Sequence, residues 1–204
     1  MMAVDIIKIQ TLIERYFKPT GIISIDPNTG MASCSNDVIM NKRIDRLPVR
    51  WDTVGGSFSC KENQLTSLAG APGSVGGSFI CSGNQLTSLA GAPHQVGGAF
   101  YCDSNQLSSL EGAPRSVGGG FYCSNNPLTS LEGLPEEING IVGITYLADL
   151  PLLRLFMIRG IEGLALRQDT GSVEPIINRH LPQGKAGLSA CATELIKEIG
   201  RAHV

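Results

Sequence analysis

The chain has 204 residues, enough for one domain or one stack of repeats with caps. Its 16 Lys and Arg stand against 18 Asp and Glu, a net charge of −2 that lacks the basic footprint of a nucleic-acid-binding protein. No apolar run reaches the length of a membrane span, and the start, Met1-Met2-Ala3-Val4-Asp5, has no basic leader or cleavage site, so a cytoplasmic protein is expected.

Ile6, Ile9, Leu12, Ile13, Tyr16 and Phe17 recur at helical spacing and predict an amphipathic helix over residues 4–17. Residues 21–25 read as a strand, Asp26-Pro27-Asn28-Thr29-Gly30 as a turn, and 31–35 as the partner strand. This helix and hairpin, residues 1–33, are expected to cap a repeat stack. A worn copy of the repeat follows. Ile39, Ile44, Leu47 and Val54 lie 21 before Cys60, Leu65, Leu68 and Val75, with Asp37 in place of Phe and Lys42 in place of Asn.

Residues 54–138 then repeat one pattern four times at a period of 21, V-G-G-x-F-x-C-x-x-N-x-L-x-x-L-x-G-x-P. A period of this length means stacked repeats, and F-x-C-x-x-N-x-L has leucine-rich-repeat spacing. The predicted fold is an α/β-type leucine-rich-repeat solenoid over residues 34–148, with one parallel strand per repeat. Phe and Cys, two apart, face inward on that strand, and an extended or 3₁₀-like path returns through the two Leu. The Gly-Gly pair is expected to supply positive φ in a tight turn. Asn63, Asn84, Asn105 and Asn126 are expected to form a structural ladder, each amide pairing backbone groups of its own and neighbouring turns.

Past the last copy, Ile138 stands for Val and Val142 for Phe, and the pattern then dissolves. Residues 149–198 predict a mainly helical C-terminal cap. It comprises a short buried helix over 150–158, a strand over 161–166, a helix capped by Ser172 with Pro175 in its first turn, and a last helix burying Leu188, Cys191, Ala192, Leu195 and Ile199. The final stretch, Ile199-Gly200-Arg201-Ala202-His203-Val204, back-translates to the start of a common sequencing adapter. Residues 199–204 are therefore expected to be read-through that displaces the natural C-terminus.

The phrase running from Cys81 to Phe100, C-S-x-N-Q-L-T-S-L-x-G-A-P-x-x-V-G-G-x-F, resembles the short leucine-rich repeats of proteins encoded by tailed bacteriophages and prophages. The resemblance covers residues 34–198. It extends to the helix-and-hairpin start and to an apolar segment like Leu152-Leu153-Arg154-Leu155-Phe156, and it implies a phage or prophage origin. More loosely, the L-T-S-L step is similar to type III secreted leucine-rich-repeat effectors, although the extra Gly of V-G-G departs from their pattern and no ligase-like domain is present. Neither resemblance implies a catalytic residue.

The chemistry-bearing residues point the same way. The periodic cysteines are open to three readings: a disulfide between adjacent strands, a metal ladder, or a small apolar core residue, the last being favoured. No C-x-x-C gives a zinc signal. His94 occupies a variable loop position and His180 a helix end, while Gly184-Lys185-Ala186 lacks the Ser/Thr of a phosphate loop. Neither an enzyme, a cofactor nor a metal site is expected.

With Phe and Cys inward, Ser59, Ile80, Tyr101 and Tyr122 are expected to point out of a concave sheet, flanked by Lys61 and Asp103. Tyrosines so placed are typical interface anchors. The plainer alternative is that the Tyr pair only stabilises the sheet. The leading expectation is a monomeric module binding an unidentified protein, a host protein among the candidates, with neither nucleic acid nor membrane as partner. The rivals are a self-assembling structural component and an activity in the C-terminal segment.

Overall fold

The computed structural model describes residues 4–145, 152–167 and 173–202. The chain opens with α1 (Ile6–Tyr16), whose N-terminus is capped by the Asp5 carboxylate accepting the Lys8 N–H at 2.9 Å. Phe17 leaves the helix in extended conformation and begins β1 (Phe17–Pro19), followed by β2 (Ile23–Ile25), β3 (Ala32–Cys34), β4 (Val38–Met40) and β5 (Trp51–Val54). The repeats add β6 (Phe58–Ser59), β7 (Ser74–Val75), β8 (Phe79–Ile80), β9 (Gln95–Val96), β10 (Phe100–Tyr101), β11 (Ser116–Val117), β12 (Phe121–Tyr122) and β13 (Glu137–Ile138). Then come β14 (Ile141–Thr145), a 3₁₀ helix (Leu152–Met157), β15 (Gly163–Arg167), α2 (Val173–His180), a second 3₁₀ segment (Leu181–Gly187) and α3 (Leu188–Ala202).

The strand predicted at Phe-x-Cys is present, and a second strand at the step into Val joins a sheet of its own. One sheet runs β1-β4-β6-β8-β10-β12-β14-β15 and the other β13-β11-β9-β7-β5-β3-β2. Repeat pairs are parallel and in register, Phe58 on Phe79 on Phe100 on Phe121. Antiparallel pairs occur at the N-terminal end, β1 with β4 and β2 with β3. The expected hairpin is therefore there, and its return strand β3 is also the first rung of the second sheet.

Inside, the apolar residues of the repeat stack on their own copies. The four Phe rings follow one another at 5.7, 5.5 and 5.3 Å, within 14° of parallel. Trp51 and Phe17 close the N-terminal end of this column, edge-on to each other at 5.3 Å. Cys, both Leu and Val of each copy are buried beside it. The Gly-Gly corner serves a different end from the one expected. Neither glycine of the pair has positive φ. Instead a Cβ on Gly76 would lie 2.1 Å from the Gly55 carbonyl oxygen, so adjacent corners approach too closely for any side chain. Positive φ belongs to the Gly of Gly-Ala-Pro, as at Gly91 (89°), and to the position before each Asn.

Two boundaries differ from expectation. In the worn first copy, Val38 pairs with Phe58 and Ile39 with Ser59, an offset of 20, so Val38 rather than Asp37 takes the Phe place and Ile39 turns outward. Asp37 instead accepts the Ser57 N–H at 2.7 Å, as the Ser57 hydroxyl accepts that of Ser78. At the other end the stack runs past 148: β15 pairs in parallel with β14, and Arg159 bridges to Glu137. The short apolar helix and the strand expected there are thus an added coil of the solenoid. Beyond it α2 packs on β15. Its Asn178 amide accepts the Leu164 N–H and donates to the Leu164 carbonyl, and Glu174 accepts the Leu166 N–H. Residue 149, Ser172 and residues 203–204 lie outside the described residues.

Candidate partner-binding face

Parallel register brings Ser59, Ile80, Tyr101 and Tyr122 into one row across four adjacent strands. The same row continues to Ile39 on one side and to Gly143 and Ala165 on the other, three positions the repeat pattern did not single out. Tyr101 and Tyr122 stack 4.8 Å apart, 8° from parallel, and both remain half-buried, as does Ile80. Burial, aided by Tyr122 and by Asp103, pushes the Tyr101 phenol above its ordinary pKa, so that ring carries a neutral hydroxyl at neutral pH.

Ser59 departs from expectation. It is only 9% exposed, because its short side chain lies between the longer Ile39 and Ile80 of the adjoining rungs. It belongs to the sheet rather than to the accessible row. Lys61 is exposed and lies 3.8 Å from Glu62, its ion-pair partner. Asp103 is held by the fold: Oδ1 accepts the Ser124 N–H at 3.0 Å and Oδ2 the Ser82 hydroxyl at 3.4 Å. Burial nonetheless holds its pKa above the usual carboxylate value, against those hydrogen bonds and the nearby Arg167.

Tyr122 keeps its pose because two glycines make room for it. A Cβ on Gly120 would lie 2.7 Å from the Tyr122 hydroxyl, and one on Gly143 would lie 2.7 Å from its Cδ1. The signal for this was present in the repeats. As the row position grows from Ser59 to Ile80 to Tyr101 to Tyr122, the position two before it runs Ser57, Ser78, Ala99, Gly120. A notch of about 280 Å³ opens next to Tyr122, over Gly143 and Ala165. Larger depressions lie elsewhere, among them one of about 320 Å³ beside Ser24, Thr29 and Asp52. One of about 490 Å³ crosses the second sheet past Ser74, Gln95, Ser116 and Glu137, and one of about 510 Å³ separates α1 from Ile23 and Ile25.

The Asn ladder is as expected. Asn105 Nδ2 donates to the Cys81 and Cys102 carbonyls, each at 3.1 Å, and Oδ1 accepts the Leu86 N–H at 3.0 Å. Asn84 and Asn126 do the same one turn either side, whereas Asn63, at the worn end, reaches Cys60, Lys61 and Ile44 and is less buried. All six cysteines are free and buried. Burial pushes the Cys60 thiol up to about 12 and raises Cys81, Cys102 and Cys123 as well, so these sulfurs stay protonated and are poor nucleophiles and metal ligands. His94 is exposed in its loop. His180 Nε2 lies 2.8 Å from Glu194, which also pairs with Arg179 and ties α3 to α2, a link that no spacing in the sequence announced.

Fold and face together define a class: a parallel β-solenoid of leucine-rich-repeat type, closed by an N-terminal helix and hairpin and a C-terminal helical segment. No helix among the described residues is long and apolar enough to cross a membrane. No family model matches the chain, and no curated protein or solved structure is significantly similar to it.

Proposed function

We propose that the chain is a leucine-rich-repeat binding module, phage or prophage encoded and cytoplasmic, that engages a protein partner through the outer face of the eight-stranded sheet. The observation that supports this reading is the stacked tyrosine pair standing half-exposed on a row with small flanks. Aromatic anchors that lose little conformational freedom on binding dominate protein interfaces. The reading assigns contact to Ile80, Tyr101 and Tyr122, with Asp103 at the side, and calls for no catalytic residue, cofactor or metal.

The double substitution Tyr101→Ser with Tyr122→Ser tests it. Circular dichroism is expected to stay unchanged and the melting midpoint nearly so, since a cross-strand pair contributes about 0.2–1 kcal/mol. Cross-linking and capture from a bacterial lysate should lose any partner held by the wild-type chain. Capture that survives in the double variant moves the site off this face.

A further inference from the structure

The row of side chains on the eight-stranded sheet stops one rung after a stacked pair of rings. Parallel strands lie about 4.7–4.9 Å apart, and Tyr101 and Tyr122 stack at 4.8 Å, one ring per strand. On the next two strands the row holds Gly143 and Ala165, so no side chain larger than a methyl follows Tyr122. The space left is the notch of about 280 Å³, whose charged lining residues are Asp103, Glu174 and Arg167. We propose that this notch receives the guanidinium of an arginine presented by the protein partner, stacked beside Tyr122 and hydrogen-bonded to the Asp103 carboxylate. The proposal rests on the binding-module reading and names the chemistry that the partner brings to it.

Three features select a planar cation. The ring of Tyr122 attracts positive charge, and a guanidinium lies flat on an aromatic ring where an ammonium does not. Asp103 brings a partly buried carboxylate to the lining, within the same notch as Tyr122. Asp103 already accepts from Ser124 and Ser82, yet each carboxylate oxygen keeps capacity for another donor, and arginine carries five. Burial of that carboxylate, which raises its pKa, is relieved by a cation brought against it.

The test uses the whole chain and three small probes, the Nα-acetyl amides of arginine, lysine and tyrosine, followed by NMR. The arginine probe is expected to shift the Gly143 and Ala165 amides and the Tyr122 ring signals saturably, with a Kd of the order of millimolar. Ala165→Leu, at an exposed strand position, fills the notch and should abolish the shifts without altering circular dichroism. Asp103→Asn should weaken binding about tenfold, and Arg167→Gln, which removes the resident cation, should tighten it about threefold. Equal shifts with the lysine or tyrosine probe, or no saturable shift with arginine, overturn the proposal. Binding of arginine abolished by Arg167→Gln overturns it too. If Ala165→Leu still captures a partner that the double tyrosine variant loses, the notch is excluded and the binding face stands. If both variants capture it, the face itself is excluded.

Discussion

Each interior asparagine satisfies a whole turn. Asn105 holds two carbonyls and one N–H from two successive repeats, all out of reach of water. The glycines divide into two kinds with separable costs. Gly83 has φ of +69°, and a Cβ there would meet nothing closer than 3.4 Å, so Gly83→Ala isolates the backbone penalty of about 1–2 kcal/mol. Gly76 has ordinary φ but sits 2.1 Å, measured from a would-be Cβ, from the Gly55 oxygen. Gly76→Ala should therefore cost clearly more than Gly83→Ala in urea denaturation; equal costs would mean that the corners can spread.

Asp103 gives a pH signature at the same scale. Its folded pKa is raised above the unfolded value, so its favourable contribution is complete at low pH and lost as pH rises through the folded pKa. Asp103→Asn should accordingly gain stability relative to wild type on going from pH 3.5 to pH 7 (roughly the window set by carboxylate titration). A difference between the two chains that does not vary with pH would remove burial as the dominant influence on this group.

At the scale of the element, a repeat touches its two neighbours and little else. Corner and strand rungs pair with positions 21 residues away, as in Gly77 N–H to Gly56 C=O and Phe79 over Phe58, and each Asn rung reaches the repeat before it at offsets of 19 and 24. Deleting residues 76–96 joins Val75 to Gly97 in phase and should leave a folded, shorter stack with the same circular dichroism shape and a lower melting midpoint. Aggregation of that chain beside a soluble parent would show that contacts beyond the nearest neighbour hold the fold. Ends behave differently from repeats. The link between α2 and α3 rests on Glu194, whose carboxylate is held below its usual pKa by His180 and then by Arg179, so it weakens as pH falls through that depressed value.

For the whole molecule, the two ends decide whether solenoids add to one another. A parallel sheet that simply stopped would present free N–H and C=O groups to another chain. At β15 that edge is occupied, because Asn178 pairs both backbone groups of Leu164 and Glu174 accepts the N–H of Leu166. At the other end, β1 closes its sheet antiparallel and finishes at Pro19. Light scattering is therefore expected to give a monomer, with concentration-dependent association appearing on Asn178→Ala. Assembly by the wild-type chain would favour the self-assembling component over the binding module.

Spacing alone revealed the stacked repeats, the inward Phe, Cys, Leu and Val, the Asn ladder and the row from Ser59 to Tyr122, because every one of these residues is surrounded by its own copies 21 positions away. Periodicity in the chain is then contact in space. The second sheet, the true purpose of the Gly-Gly corner, the shifted phase at Val38 and the extra coil ending at Arg167 came only from tertiary structure. The shifted phase pairs Val38 with Phe58 at an offset of 20, the extra coil sets β15 on β14 outside the repeat, and the second sheet and the Gly-Gly corner are settled by backbone groups that carry no letter in the sequence. The burial of Ser59, the capture of Asp103 by Ser124 and the tie between His180 and Glu194 were likewise decided in space: a period of 21 names the position on the next rung, and packing decides which side chains touch there.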